Sequence, residues 1–475
     1  MNNKKTNYRW AICSLLFFAT TINYLDRQVL SLTWKDFIVP EFHWNNNDYG
    51  TITSIFSLAY AFSMLLAGKF VDWMDTKKGF LWAIGIWSAG ACLHAFCGIA
   101  TSGIVAGKWL VGFEGAKETL STVSDIAKVT SVSVTLFVFA RIVLALGEAG
   151  NFPAAIKATA EYFPKKVRGF ATSIFNAGAT IGALIAPLTI PFIAKAYGWE
   201  MAFIIIGALG FLWMGFWLFM YKKPEVHPRV NKEELEYIQQ DDMLENTKQV
   251  TSQKKISYAQ AFKYRQTWAF AAGKFMTDGV WWFFLFWTPA YLSSVYNLNS
   301  TQSAPQIFVL YLITLLSIIG GWLPTYFVEK KGMNPYAGRM KAMLIFAFFP
   351  LLTLLAQPLG SVSVWIPVII IGIAGAAHQS WSANIFSTVG DMFPKSAIAT
   401  ITGIGGMAGG IGSFLINKGS GKLFDFATNT NMKFMGFEGI KAGYFIIFSI
   451  CAVAYLIGWA IMKSLVPKYK PITDL

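Results

Sequence analysis

Ionisable side chains lie inside long apolar runs of this sequence, where they could bind an anion or carry a proton. Asp26 and Arg27 are adjacent in "TINYLDRQVLSL", within an apolar run that begins at Trp10. A charge in hydrocarbon is costly, so such residues line a water-filled path, pair with each other or reach the membrane interface. Adjacent helical residues point about 100° apart, so Arg27 can face a ligand while Asp26 faces a neighbouring helix.

A second pair, Arg141 and Glu148, lies in "RIVLALGEAGNFP". Seven residues are close to two helical turns, so the two side chains share one face. The pair either holds two helices together or forms a proton site, because burial and a nearby Arg act in opposite directions on the proton affinity of a carboxylate. Gly147, Gly150 and Pro153 thin and break the helix beside Glu148, which is typical of backbone that lines a cavity.

A third pair, Lys274 and Asp278, stands four residues apart in "GKFMTDGVWWFFLFWTP", with Trp281 and Trp282 one turn beyond. As an i,i+4 pair the two residues can neutralise each other. Alternatively, Lys274 binds an anion while the aromatic faces cover the apolar side of a sugar ring.

One apolar run contains several hydrogen-bonding side chains in "AAHQSWSANIFSTVGD": His378, Gln379, Trp381, Ser382 and Asn384. Every polar group in a membrane needs a partner. These side chains therefore suit either a ligand rich in hydroxyl groups or polar contacts between helices. Tyr60, in "SLAYAF", is by itself more typical of a packing residue.

The elements that hold these residues are expected to span a membrane. The 475-residue chain is 55% hydrophobic and 13% charged, whereas a soluble domain carries about 25% charged residues. A transmembrane helix needs about 20 apolar residues, and the sequence predicts an all-α membrane protein with twelve such helices. They are expected near residues 10–32, 50–71, 79–100, 132–156, 170–194, 201–221, 267–292, 305–328, 341–357, 363–388, 398–417 and 442–463.

The Lys and Arg residues concentrate in the N-terminal tail, in every second loop and at the C-terminus. Basic loops stay on the cytoplasmic side, so both termini are expected there, with the first run retained as a span rather than cleaved as a signal peptide. The net charge of +14 then reflects loop anchors on an anionic lipid surface and implies no nucleic-acid partner. The four cysteines lack metal-ligand spacing, so neither a metal site nor a cofactor is predicted.

The predicted spans divide six and six around the polar segment 222–266, in which "NKEELEYIQQD" predicts a short surface helix. "FPKKVRGFATSIFNAGATIGA" from Phe163 and "FPKSAIATITGIGGMAGGIGS" from Phe393 align without gaps at the start of the fifth span of each half. The sequence therefore predicts two pseudo-symmetric six-helix halves, 1–221 and 267–475, joined by a cytoplasmic linker.

Two loops carry further predictions. In "GKFVDWMDTKKG", after the second span, Asp72 is expected to meet a helix N-terminus as part of a cytoplasmic hinge, unless the loop is an ordinary basic turn. The insert 103–131 is expected to form an amphipathic helix on the membrane surface, with no catalytic or binding role.

The sequence has no Gly-rich phosphate loop and no hydrolase or zinc-protease motif, which argues against an enzyme.

Several quoted motifs resemble the anion:cation symporter branch of the major facilitator superfamily: "NYLDRQ", "GKFVDWMDTKKG" and "RIVLALGEAGNFPAAIK". "GKFMTDGVWWFFLFWTPAYL" and "HQSWSANIFSTVGDMFPK" are similar to bacterial hexuronate transporters, and the likeness covers nearly the whole chain. The resemblance implies proton-coupled import of a sugar-acid anion, glucuronate or galacturonate, by alternating access across a bacterial inner membrane. It implies no obligate protein partner in the lipid bilayer.

The resemblance also implies roles for individual residues. Asp26 and Glu148 would carry protons, Arg141 would pair with carboxylates of the proton relay, and Arg27 would bind the substrate carboxylate. Tyr60 matches a tyrosine that lines the sugar-acid site of the family. The expected substrate site is completed by residues of the second half: Lys274, His378, Gln379, Trp381 and Asn384.

This sequence departs from the family pattern at three places. Related carriers of other sugar acids have a Gln at the position of Lys274 and a polar residue in the region of the Gly-rich run 405–412, so the uronate subgroup is favoured over galactonate-type carriers. Trp73 stands where the family usually has an Arg after Asp72, which weakens the gating role expected of that loop.

Other functions remain compatible with these residues. The chain could carry an aldonate, an aldarate or another organic anion, or use sodium in place of protons. A membrane enzyme or sensor would need a soluble module, and the segment 222–266 is too short and too charged to form one.

Overall fold

The computed structural model of the protein describes residues 6–240 and 256–472, most of which are helical. The N-terminal half contains Tyr8–Thr33 (span one), Asn46–Met74 (span two), Thr76–Ala95 with Cys97–Ala106 (span three), Ile126–Glu148 with Asn151–Tyr162 (span four), Lys165–Tyr197 (span five) and Trp199–Met220 (span six). The C-terminal half contains Arg265–Tyr296 (span seven), Ala304–Thr314 with Ile318–Lys331 (span eight), Pro335–Phe348 with Ala356–Leu359 (span nine), Trp365–Met392 (span ten), Lys395–Asn429 (span eleven) and Ile440–Leu465 (span twelve).

Shorter elements connect or continue these helices. They are the π-helical turn Trp34–Ile38, the helices Val39–Phe42, Gly112–Ser121, Lys232–Ile238 and Tyr258–Ala261, the 3-10 turns Pro224–Val226, Leu315–Ser317 and Phe349–Leu355, and an antiparallel hairpin of β1 (Lys433–Phe434) and β2 (Phe437–Glu438). Helices are therefore present in both places where the sequence predicts a surface helix, the insert 103–131 and the linker.

Each predicted span coincides with a helical segment of the described residues. Eight segments are long and apolar enough to cross a membrane, and span three adds a ninth if its two parts, bent by 51°, count as one. Spans one, seven and eleven are the remaining three. They contain two charged pairs and a Gly-rich run, so length rather than apolarity identifies them as spans.

The internal repeat has the same local structure in both copies. Spans five and eleven begin directly after Pro164 and Pro394, whose φ, ψ angles are −64°, 154° and −65°, 155°. Proline fixes φ near −65° and is tolerated at the start of a helix, where its missing N–H is not needed. The shared Phe-Pro-Lys motif therefore starts the fifth helix of each half with one backbone geometry.

The same helix pairs are in contact in both halves. Span one packs on spans five and six, and span three on spans four and six; span seven packs on spans eleven and twelve, and span nine on spans ten and twelve. Between the halves, span two lies along span eleven, span five contacts span eight, and span one contacts span seven. A two-fold axis would exchange or preserve these pairs, so the two halves are pseudo-symmetric.

Glycines allow spans three and four to approach each other closely. A Cβ atom on Gly90 would lie 2.5 Å from the backbone nitrogen of Leu144, and one on Gly147 would lie 2.3 Å from that of Trp87. Small residues permit such contacts between transmembrane helices. The glycine beside Glu148 is thus required by helix packing.

Hydrogen bonds join the two halves at the membrane face opposite the linker, here called the opposite face. Asp425 of span eleven accepts from the backbone nitrogens of Asn46 (3.0 Å) and Asn47 (2.7 Å), which begin span two. A carboxylate is favoured there by the helix dipole and the free N–H groups. Asp36 also accepts from the backbone nitrogen of Ser300. These contacts hold the halves together at the opposite face.

Glu234 attaches the linker helix Lys232–Ile238 to the start of span one, at the linker face. Its buried carboxylate accepts from the Thr6 hydroxyl (2.6 Å), the Tyr8 backbone nitrogen (3.0 Å) and the Arg9 guanidinium (2.8 Å). Burial alone would raise the pKa of Glu234, but the hydrogen bonds from Thr6, Arg9 and Tyr8 outweigh it and hold this pKa below its usual value. The carboxylate is therefore ionised at neutral pH.

We expect Glu234→Gln to lower the thermal unfolding midpoint of the purified protein at pH 7. Breaking a buried ion pair by removing one partner costs about 3–5 kcal/mol. Because folding lowers the pKa of Glu234, its stabilising effect is complete above the unfolded value of about 4.5 and is lost as pH falls through the folded pKa. The difference from wild type should therefore shrink in melts recorded at progressively lower pH.

The matched control is Glu236→Gln, on the same helix. The Glu236 carboxylate is exposed and lies 3.9 Å from Lys232, and exposed pairs contribute little to stability. This control should melt like wild type. Equal midpoints for Glu234→Gln and wild type at pH 7 would contradict the role of Glu234.

Candidate functional site

Arg27 and Glu148 form a buried ion pair between spans one and four. The Nε and Nη2 atoms of Arg27 lie 2.9 and 2.6 Å from Oε2 of Glu148, and the two side chains are 5% and 0% exposed. Both donors reach one carboxylate oxygen, while Oε1 has no hydrogen-bond partner among the described residues. A buried pair is stable only while both members keep their charges, so this contact responds to the protonation of Glu148.

Four aromatic rings surround the guanidinium of Arg27. Its Cζ atom lies 5.0 Å from the ring centroid of Tyr24, 4.9 Å from Tyr60, 5.9 Å from Phe56 and 5.2 Å from Trp282. Ring faces attract a desolvated cation by about 2 kcal/mol in favourable cases. Trp282 belongs to span seven, so both halves of the protein contribute to the surroundings of Arg27.

Asp26 and Arg141 are buried beside this pair. The carboxylate of Asp26 lies next to the Trp87 side chain, while the Nε and Nη1 atoms of Arg141 have no hydrogen-bond partner within the described residues. Asp26 interacts electrostatically with Glu148 and Arg141, and the guanidinium of Arg141 lies 5.3 Å from the ring of Phe56. In this conformation Arg27, and not Arg141, holds Glu148.

Lys274 and Asp278 pair with each other on span seven. The Lys274 Nζ atom lies 2.7 Å from Oδ2 of Asp278, with side-chain exposures of 6% and 14%. The same Nζ atom lies 4.3 Å from the ring centroid of Phe386 on span ten. Of the two interpretations of this spacing, the mutual neutralisation at i,i+4 is the one that the geometry shows.

Span ten provides a histidine and a tryptophan that are held by neighbouring helices. The Nδ1 atom of His378 lies 2.7 Å from the Tyr455 hydroxyl of span twelve, and its ring stacks on Trp281 at 5.4 Å. Trp381 is fully buried and packs on Tyr455 at 5.6 Å, with an indole N–H that has no partner among the described residues.

Asn384 and Gln379 have different surroundings on span ten. The Asn384 amide nitrogen donates to the backbone oxygens of Gly320 and Ser380, both at 2.8 Å, and so ties span ten to span eight. Gln379 is half-buried, and its amide forms no hydrogen bond within the described ranges. Of the two amides, that of Gln379 is the one left available to a ligand.

The loop after span two contains the predicted gating residue Asp72. Asp72 lies near the end of span two, and its side chain is outside the described part of the structure. Asp75, three residues later, caps span three by accepting a hydrogen bond from the backbone nitrogen of Thr76 at 2.8 Å. Asp75 thus makes a contact between an aspartate and a helix N-terminus in this loop, and the contact expected of Asp72 stays a prediction.

Sequence reasoning missed two members of the ring cluster around Arg27. Tyr24 precedes Arg27 by three residues, and Phe56 precedes Tyr60 by four. Residues at these spacings share a helix face. A search one helical turn before each predicted site residue would therefore have found both. Tyr455, the partner of His378, lies on span twelve and has no local signal of this kind.

The structure thus defines a multi-pass helical membrane protein whose two pseudo-symmetric halves both contribute residues to a cluster of buried charges. This is the architecture of a solute carrier. Residues 16–416 match the Major Facilitator Superfamily. The chain therefore belongs to this superfamily and is a membrane transporter rather than an enzyme.

Comparisons with known proteins agree with this assignment. The chain is 28% identical to a hexuronate transporter of Escherichia coli K12 over 96% of its own length and 94% of that protein. It is also 28% identical to a protein of the same strain named "Probable galactarate/D-glucarate transporter", over 67% of each chain.

A solved structure shows the same fold. A bacterial homolog of the human lysosomal transporter Spinster, in an inward-facing and unoccupied conformation, superposes with a TM-score of 0.68 at 17% identity. The match covers 99% of this chain and 100% of that one. The predicted major facilitator fold is therefore confirmed.

We expect Asn384→Ala to lower the thermal unfolding midpoint, because the variant loses two buried hydrogen bonds, one to Gly320 of span eight and one to Ser380 within span ten. Leaving buried groups unpaired costs about 1–3 kcal/mol. Gln379→Ala, a change at a half-buried residue of the same helix, should leave the midpoint close to wild type. If Asn384→Ala melts no earlier than Gln379→Ala, the interhelical role of Asn384 is wrong.

Proposed function

We propose that the protein imports hexuronates, glucuronate or galacturonate, together with protons by alternating access. The observation that carries this proposal is the buried Arg27–Glu148 ion pair, in which a permanently charged guanidinium is held by a carboxylate that can be protonated. Similarity to a hexuronate transporter over 96% of the chain supports the choice of substrate class.

In this proposal Arg27 exchanges one carboxylate for another. Protonation of Glu148 removes the internal partner, and the planar guanidinium then binds the substrate carboxylate through two parallel hydrogen bonds. Tyr24, Tyr60 and Trp282 surround the position that the carboxylate would take. Their rings cover the apolar face of the sugar.

The remaining site residues donate hydrogen bonds to the substrate hydroxyl groups or form the wall of the site. Gln379 and Lys274 donate to substrate hydroxyls from the second half. We propose that Asn384, His378 and Trp381 shape the wall of the site, since Asn384 and His378 already bond within the protein and Trp381 is fully buried.

Asp26 and Arg141 complete the proton path in this proposal. Asp26 lies next to Arg27 in the chain and interacts electrostatically with Glu148 and Arg141, so a proton on either carboxylate alters the field at the other. When Glu148 is neutral, Arg141 remains as a second buried cation near the substrate. Loss of the protons to the cytoplasm restores the Arg27–Glu148 pair and releases the anion.

We further propose that the linker face is cytoplasmic, that the membrane is a bacterial inner membrane and that both termini lie inside. The excess of Lys and Arg in the tails, the linker and alternate loops supports this orientation. The halves 1–221 and 267–475 would then move about the site as two bodies joined by 222–266. Closure at the opposite face corresponds to a carrier that releases its cargo inward.

Glu148→Gln should abolish accumulation of labelled glucuronate driven by an imposed pH gradient in proteoliposomes, because an amide cannot release the proton that the cycle delivers. Exchange of internal for external glucuronate should persist, since it requires no net proton movement. Accumulation by Glu148→Gln at the wild-type level would contradict the assignment of Glu148.

Glu41→Gln is the matched control for this variant. Glu41 is another buried glutamate, in the short helix Val39–Phe42 at the opposite face, where its carboxylate accepts from the Trp199 indole at 2.9 Å. Burial raises the pKa of Glu41 to about 7, against the lowering effect of that hydrogen bond. Because Glu41 lies outside the site, the control should accumulate glucuronate like wild type.

Arg27→Lys should weaken glucuronate binding by about tenfold or more, because lysine keeps the charge but loses the planar pair of donors. Equilibrium binding of labelled glucuronate to purified protein measures this loss. Arg339→Lys is the control, since Arg339 bonds Asp391 at 2.7 Å away from the site. Wild-type affinity in Arg27→Lys would rule out Arg27 as the carboxylate ligand.

A second candidate is an aldarate carrier, which the similarity to a galactarate/D-glucarate transporter favours. Sodium coupling is a further variant of the proposal. Uptake measured with proton and sodium gradients imposed separately distinguishes the coupling ion, and competition among uronates, aldonates and aldarates identifies the substrate.

A further inference from the structure

Among the described residues, the candidate site holds three Lys or Arg side chains and three carboxylates, all buried or nearly so: Asp26, Arg27, Arg141, Glu148, Lys274 and Asp278. Three are cations and three are carboxylates, so the site is neutral when all six are ionised. A proton on one carboxylate leaves one positive charge in excess. One bound proton therefore allows one substrate carboxylate to bind with no change in the net charge of the site.

The two ion pairs of this cluster differ in how the chain holds them. Arg27 and Glu148 belong to spans one and four, so a relative movement of these helices can separate them. Lys274 and Asp278 are four residues apart on the same helix and move together in any rigid movement of span seven. A rigid movement of span seven therefore leaves the Lys274–Asp278 pair intact, whereas a movement of span one against span four can break the Arg27–Glu148 pair.

Span eleven fixes the position of the Asp278 carboxylate. A Cβ atom on Gly409 would lie 2.2 Å from Oδ2 of Asp278, the oxygen that bonds Lys274. Only glycine leaves room for the carboxylate in this position. The second oxygen, Oδ1, is buried and has no hydrogen-bond partner within residues 6–240 and 256–472.

The charge of Asp278 reaches the side chains that surround Arg27. Asp278 interacts electrostatically with Tyr24 and Tyr60, whose rings lie within about 5 Å of the guanidinium. In the proposed function a substrate beside these tyrosines binds Arg27. The paired Lys274 and Asp278 then lie within electrostatic reach of the same substrate.

We propose that Asp278 is a specificity-determining residue that restricts the site to sugar acids with a single carboxylate. This inference rests on the proposed function and refines it. A uronate directs its one carboxylate to Arg27 and presents an uncharged end to Lys274 and Asp278. An aldarate of the same length brings a second carboxylate next to Asp278, where the neighbouring cation, Lys274, is already paired and does not compensate for its desolvation.

Lys274 thereby becomes a hydroxyl donor rather than a carboxylate ligand. An ammonium group has three N–H donors, and the pair with Asp278 uses one of them. The other two can serve hydroxyl or ring oxygens of a uronate. The same pair that permits these contacts excludes the second carboxylate of an aldarate.

The test is competition against labelled glucuronate on purified full-length protein, with unlabelled glucuronate and unlabelled galactarate as competitors. Wild type should prefer glucuronate. In Asp278→Asn the ratio of galactarate to glucuronate affinity should rise by about tenfold or more, because Lys274 becomes free and the like charge is gone. Asp278→Glu, which keeps the charge, should retain the wild-type preference.

A second measurement uses the wild-type protein alone, in case Asp278→Asn does not fold. The monoamide of galactarate has the length of the aldarate but only one carboxylate. It should compete nearly as well as glucuronate and much better than galactarate. A site that accepts a second carboxylate would not distinguish these two ligands.

The outcomes separate this inference from the function on which it rests. If wild type binds glucuronate but the galactarate ratio is unchanged in Asp278→Asn, or the monoamide competes no better than galactarate, the specificity role of Asp278 is overturned while uronate transport stands. If wild type binds no uronate, the proposed function fails, and the inference fails with it.

Discussion

The buried guanidinium of Arg27 is the constraint on which the centre of this protein depends. It is 4% exposed and cannot release its proton under physiological conditions, so the fold must supply a counter-charge at every step. Glu148 supplies it in the described conformation, and the rings of Tyr24, Phe56, Tyr60 and Trp282 replace part of the lost hydration. When Glu148 is neutralised, another anion has to take its place, and in the mechanism we propose this requirement couples a proton to a substrate carboxylate.

The surrounding helices fix this pair and allow it to open. Glu148 is the last residue of the first part of span four, and the helix resumes at Asn151 after a short break. Gly147 allows the first part of the helix to pack closely against span three. The hydrogen bonds of Asp425 join the halves at the opposite face, and Glu234 anchors the linker at the other. The ion pair thus lies where span four is interrupted, between the linker face and the opposite face, each of which is held by hydrogen bonds.

Much of the fold could be predicted from the sequence, because apolar length and basic loops act locally along the chain. The twelve spans, the repeat after Pro164 and Pro394 and the Lys274–Asp278 contact follow from such local patterns. The choice of Glu148 as the partner of Arg27 depends on the tertiary approach of spans one and four, which no spacing encodes. For the same reason Asn384 and His378 carried no sign that neighbouring helices would already occupy their polar atoms.

The central claim is that Glu148 takes up a proton and releases Arg27, which then binds the substrate carboxylate. Calorimetric titration of purified protein with glucuronate, repeated in buffers of different ionisation enthalpy near neutral pH, counts the protons exchanged on binding. The account predicts net uptake of about one proton per glucuronate bound, because Glu148 must become neutral when the sugar acid takes Arg27. Binding heats that do not depend on the buffer would show that no proton is taken up and would contradict the claim.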